Sequence, residues 1–150
     1  VIADEPTTAL DVSVQSQIVS VLKKMCSEQG ASVILITHDI GVIAEATDRV
    51  AVLYSGRMAE IGSVRDVIKH AKHPYTKGLM GSIPTITQEG DRLIQIPVTM
   101  PRLTDRPSGC AFAPRCELAI DICHQSHPAE ESVGTARVAC HLMKKVGAVA

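Results

Sequence analysis

Val1-Ile2-Ala3-Asp4-Glu5-Pro6 decides how this chain is read. Three apolar residues run into two adjacent carboxylates, and a proline ends the strand. A buried parallel strand that ends in acids puts its charges at the carboxyl end, where α/β sheets bind ligands. One acid, Asp4, can hold Mg²⁺, while Glu5 can orient or deprotonate a water aimed at a phosphoryl group. Alone, such a pair also suits a loop start or a helix cap. The next residues, Thr7-Thr8-Ala9-Leu10-Asp11, narrow the choice, because Asp11 precedes an amphipathic stretch and is placed to cap it.

Working outward, Val12–Glu28 reads as a helix with Val14, Ile18, Val21, Leu22 and Met25 on its apolar face and Gly30 as its C-cap. Cys26 is expected to be buried or half-buried on it. Ser32–Thr37 is a second buried strand, followed by Thr37-His38-Asp39 and a helix from Ile40. Arg49–Tyr54 is a third strand, Ser55-Gly56 a turn, and Arg57–Ile61 its hairpin partner. Ser63 and Asp66 form a capping box for a helix through Lys69. The strand–helix alternation predicts an α/β fold with a parallel sheet and an antiparallel finish. After His70 the composition shifts. His73-Pro74-Tyr75-Thr76-Lys77 opens a short helix ending near Gly81, and four prolines fall between Ile83 and Ser108. Leu93–Ile96 is a candidate edge strand. His70 and His73 read as loop residues packed against the core.

With 150 residues, 45% hydrophobic and 21% charged, the composition is that of an ordinary globular protein. A formal net charge of −1 gives no electrostatic reason for a nucleic-acid partner. No apolar run approaches the roughly 18 residues of a membrane helix. With two Tyr, one Phe and no Trp, the core must be aliphatic.

Asp4-Glu5-Pro6 followed by Ala9-Leu10-Asp11 resembles the Walker B strand and D-loop of ATP-binding cassette (ABC) ATPases, and Ile36-Thr37-His38-Asp39 resembles their switch-histidine loop. Asp48-Arg49-Val50-Ala51-Val52-Leu53-Tyr54-Ser55-Gly56-Arg57, His73-Pro74-Tyr75-Thr76-Lys77 and Cys110-Ala111-Phe112-Ala113-Pro114-Arg115-Cys116 resemble the ATPase subunits of dipeptide, oligopeptide and nickel importers. Glu117 and Ala111 depart from that pattern, and the linker Ile96–Pro101 lacks a glycine usual there.

The resemblance implies the C-terminal part of a P-loop NTPase sheet in residues 1–72. It implies a transporter-type C-terminal extension, irregular and rich in cysteine, in residues 73–150. It assigns Glu5 and His38 to catalysis, Asp4 and Asp11 to the nucleotide site, and ATP and Mg²⁺ as cofactors. A second ATPase subunit, permease subunits and, indirectly, an extracytoplasmic peptide-binding protein are the implied partners, with the subunit peripheral on the cytoplasmic face of the membrane. Neither a Gly-x-x-x-x-Gly-Lys-Ser/Thr loop nor a Leu-Ser-Gly-Gly-Gln-like signature occurs in the chain. The chain therefore reads as the C-terminal part of a longer ATPase, inactive by itself.

Cys110, Cys116, Cys123 and Cys140 form a second candidate site, spaced x5, x6 and x16. Without an export signal, disulfides are not expected. Zinc favours closer pairs, while four thiolates can hold a [4Fe–4S] cluster, as some members of the resembled family do. Zinc, mixed Cys/His ligation by His124 or His141, and unligated thiols stay open. Two competing functions follow. One is an Fe–S or zinc regulatory module on a remnant ATPase scaffold. The other is an ABC ATPase that serves no transporter, which the extension argues against.

Overall fold

The computed structural model describes residues 1–83 and 107–145, and the chain divides into two units, Val1–Asp48 and Arg49–Ala150. The expected strand at Leu93–Ile96 lies outside the described residues.

In the first unit, β1 (Ile2–Asp4) pairs in parallel with β2 (Ile34–Ile36), with Asp4 opposite Ile36. Between them runs α1 (Val12–Gln29), and α2 (Ile40–Ala46) follows β2. Asp11 Oδ1 accepts the Ser13 and Val14 amides at the start of α1. Gly30 closes the helix at φ +62, a left-handed conformation that glycine adopts without strain, and the chain turns toward β2. Two details differ from the sequence reading. Val19 is the buried residue of α1, whereas Val21 is 55% exposed, and Cys26 is exposed. The strands are shorter and more open than expected, with Ile2 71% and Ile34 62% exposed. A two-stranded sheet gives its side chains few neighbours.

The second unit begins with β3 (Arg49–Tyr54) and β4 (Arg57–Ser63). Ser55 and Gly56, both at positive φ (49 and 72), make the two-residue turn that matches strand twist in a hairpin. The third strand therefore forms where expected, but its strand pairing is antiparallel, and among the described residues parallel pairing is confined to β1 and β2. Ser63 and Asp66 cap α3 (Val64–Lys69) through the Ser63 hydroxyl. Next come α4 (Pro74–Gly81), α5 (Asp121–Gln125), β5 (Glu130–Val133) and β6 (Ala136–Ala139). β6 pairs with β4, giving the sheet order β3-β4-β6-β5.

Two clusters hold this unit together, and the first gathers both tyrosines and the phenylalanine where an aliphatic core was expected. Tyr54, Tyr75 and Phe112 stack edge-on or tilted with ring centroids 4.7–5.4 Å apart, and Arg115 donates to the Tyr54 hydroxyl at 3.1 Å. Ala136, Val138 and Cys140 form the second. Glu60, 0% exposed on β4, is satisfied by backbone. Its carboxylate accepts the Lys72 amide at 3.0 and 3.1 Å and the His73 amide at 3.0 Å, which fixes the chain where α4 begins.

Candidate functional site

β1 and β2 end side by side, and their carboxyl ends carry the predicted residues. Asp4 is the last residue of β1 and is exposed. The parallel pairing continues one step further, where the Glu5 amide donates to the Ile36 carbonyl at 2.8 Å. Glu5 then takes φ +46, unusual for a residue with a side chain, and the chain turns away from the strand. Its carboxylate meets His38 from the loop after β2, with Nδ1 2.9 Å from Oε1. Thr8 Oγ1 donates to Oε2 at 2.8 Å.

The pair is electrostatically consistent. The hydrogen bonds from His38 and Thr8 hold the Glu5 carboxyl below its ordinary value, and Glu5 raises the His38 imidazole above its own. At neutral pH Glu5 is ionised, and His38 Nδ1 carries the shared proton. Asp39 beside His38 caps α2 through the Gly41 and Val42 amides. Gln15 Nε2 on α1 donates to the other oxygen of Asp39 at 2.8 Å. These bonds keep the Asp39 carboxyl low, and they join the helix after Asp11 to the loop that presents His38. Glu5 and His38 are thus brought together, with Asp4 next to Glu5 on the same strand end. Asp11 is engaged as the α1 cap. The sequence reading missed Thr8 and Gln15. Thr8 could have been found as a hydroxyl three residues after an acid, a spacing that suits a side-chain contact across a turn.

The cysteines form a second site, within the second unit. Cys110, Cys116, Cys123 and Cys140 all line one small cavity, partly open to solvent, with Phe112 among its apolar walls. The Cys110 amide donates to the Cys123 carbonyl at 2.8 Å, and Gly109 packs against the same backbone. Burial pushes the Cys110, Cys116 and Cys140 thiols up, and the neighbouring cysteines add to the shift. Among the described residues, no three His, Cys, Asp or Glu side chains are gathered tightly enough to hold a single ion.

His73 and His141 also line the cavity, and His124 is exposed. His73, read as a loop residue packed against the core, stands just before α4, is 3% exposed and caps that helix, its Nδ1 accepting the Tyr75 amide at 3.0 Å. Burial lowers its pKa to about 4, so the ring is neutral with its proton on Nε2. His141 Nε2 lies 2.9 Å from the Ser126 carbonyl.

Residues 59–123 match the family model described as "Oligopeptide/dipeptide transporter, C-terminal region". The match covers less than half of the chain. The wider chain is similar to ATP-binding proteins of peptide import. It is 50% identical over 129 residues to the dipeptide transport ATP-binding protein DppD of Bacillus subtilis, covering 86% of this chain and 38% of that protein. It is 45% identical over 148 residues to the oligopeptide transport ATP-binding protein AppD of the same organism, covering 98% and 45%. It is 46% identical over 129 residues to the oligopeptide transport ATP-binding protein OppD of Salmonella typhimurium, covering 86% and 38%. The chain thus spans less than half the length of these curated relatives. No helix among the described residues is long and apolar enough to cross a membrane.

Proposed function

We propose that this chain is the C-terminal part of the ATP-hydrolysing subunit of an ABC importer that powers peptide uptake. The contact of Glu5 with His38 carries this reading. A carboxylate kept ionised at the end of a parallel strand, beside an imidazole from the neighbouring strand's loop, suits activation of water. Glu5 takes a proton as the water oxygen attacks the γ-phosphorus and the bond to the ADP oxygen breaks. His38 donates to Glu5 through Nδ1, and in the imidazolium form that Glu5 favours its Nε2 also carries a proton to donate to a γ-phosphate oxygen. Asp4 is an exposed oxygen donor of the hard type that Mg²⁺ prefers, and the ion would neutralise phosphate charge there. Asp11, one side of its carboxylate already committed to α1, would face the second ATPase subunit.

Residues 1–72 would supply this half of the ATP site, and residues 73–150 the extension of the transporter family. The subunit would sit on the cytoplasmic side of the membrane against permease subunits, with an external peptide-binding protein delivering the cargo. In the complete subunit, Glu5→Gln should abolish phosphate release while leaving nucleotide binding intact. Full turnover in that variant would remove the reading.

We also propose that Cys110, Cys116, Cys123 and Cys140 hold a [4Fe–4S] cluster that staples the extension. Four thiols around one cavity support it. Tetrahedral zinc, with Zn–S near 2.3 Å, needs sulfurs drawn to within about 4 Å of one another. A [4Fe–4S] group takes thiolates set wider apart than zinc does. Protein purified without oxygen should show a broad visible band and about four irons per chain. Stoichiometric zinc with no visible band would count against the cluster.

A further inference from the structure

The Glu5 carboxylate is gripped at both oxygens, by His38 at Oε1 and by Thr8 at Oε2, with contacts of 2.9 and 2.8 Å. Thr8 reaches it because the chain doubles back. Glu5 sits at φ +46 and Ala9 at φ +61, and the Thr8 amide donates to the Glu5 carbonyl at 3.2 Å. Two side-chain-bearing residues in the left-handed region flank Thr8, a costly backbone that persists only where its surroundings hold it. The terminal torsion of a glutamate is broad, so one hydrogen bond leaves its carboxylate free to swing. A second donor on the other oxygen fixes the plane, and a bond to an ionised acceptor is stronger than a neutral one.

We propose that Thr8 is a positioning residue for Glu5, its hydroxyl holding Oε2 so that the carboxylate keeps its orientation toward His38 before water arrives. This rests on the reading of Glu5 as the water-activating base. Thr8 touches no reacting atom. Its effect passes through the carboxylate it holds, which distinguishes it from a residue that merely shapes the turn.

The test uses the complete ATPase subunit in its transporter, comparing Thr8→Val, which keeps the shape and loses the donor, with Thr8→Ser, which keeps the donor. Thr8→Val should lower kcat for ATP by about tenfold, the order expected for a misplaced catalytic group, with KM, nucleotide affinity and Tm unchanged. Thr8→Ser should restore kcat to within about twofold, since its hydroxyl makes the same bond. A second readout needs no turnover. In the nucleotide-free protein, the His38 Nδ1 nitrogen resonance should move toward that of a free imidazole in Thr8→Val and stay in place in Thr8→Ser. Thr8→Ala gives both readings with less bulk if the valine disturbs folding. Wild-type kcat with an unmoved His38 signal in Thr8→Val or Thr8→Ala overturns the proposal, as does an equal loss in Thr8→Ser. Full activity in Glu5→Gln would instead refute the base assignment, so the two failures are told apart.

Discussion

His73 is neutral in the folded protein because it is buried, and its Nδ1 must stay unprotonated to accept the Tyr75 amide. Its folded pKa of about 4 lies below the ordinary 6.5. Between those values the unfolded chain binds a proton that the folded chain refuses, so stability is complete above pH 6.5 and falls as pH drops toward 4. The loss should reach the order of 3 kcal/mol. Urea unfolding at pH 7, 5 and 4 reads it, and His73→Asn, which keeps an acceptor for the cap, should flatten the response. A wild-type midpoint that does not move over this range would contradict the assignment. Thr76, one turn along the same helix, makes the opposite case. Its hydroxyl is fully buried with no hydrogen-bond partner among the described residues, so a desolvation cost is carried without return. Thr76→Val should raise stability by about 1 kcal/mol, seen as a higher Tm, and a lowered Tm would point to a partner for that hydroxyl.

At the scale of elements, what was legible in the sequence was what short-range chemistry decides. Asp11, Gly30 and the Ser63–Asp66 box each announce a helix end through a side chain or a left-handed residue, and each stands where it was read. Ser55-Gly56 announced the hairpin in the same way. What escaped was decided at long range. Which face of α1 is buried depends on what packs against it, so Val19 rather than Val21 is covered. The parallel place expected for β3 was lost to the turn that pairs it with β4, and β6 joins the other edge of β4 from some 75 residues away. The candidate site was legible as residue types, Asp4, Glu5 and His38. Its supports, Thr8 and Gln15, were not, because a hydroxyl and an amide carry no signal until the loop geometry exists. The cysteine unit was legible as a group, while Gly109 was not. A Cβ there would meet the Cys123 carbonyl oxygen at 2.2 Å and the His124 carbonyl carbon at 2.7 Å, both backbone. Gly109→Ala must therefore part Cys110 from Cys123, whose amide–carbonyl bond joins the two segments. The expected outcome is a stability drop of about 1–3 kcal/mol and, for the cluster proposed above, loss of its iron. Wild-type iron content in that variant would show that the cavity does not depend on this approach.

At the scale of the whole molecule, the two units carry different chemistry. Val1–Asp48 holds Asp4, Glu5 and His38, and Arg49–Ala150 holds Cys110, Cys116, Cys123, Cys140 and residues 59–123, which match the transporter C-terminal family model. Hydrolysis of a nucleoside triphosphate needs more than a base and a metal ligand. The β- and γ-phosphates must be held against several backbone N–H groups and a lysine, or the attacking water has nothing fixed to attack. No Gly-x-x-x-x-Gly-Lys-Ser/Thr loop occurs in the 150 residues, and the chain spans 38–45% of the length of the relatives compared above. The proposed base Glu5 therefore has no such loop within these 150 residues to present a γ-phosphate to it. The 150-residue chain alone should release phosphate from Mg·ATP no faster than a Glu5→Gln control. A continuous phosphate assay at millimolar ATP makes the comparison. Turnover above that control would mean that the chain binds triphosphate by a route other than a phosphate loop.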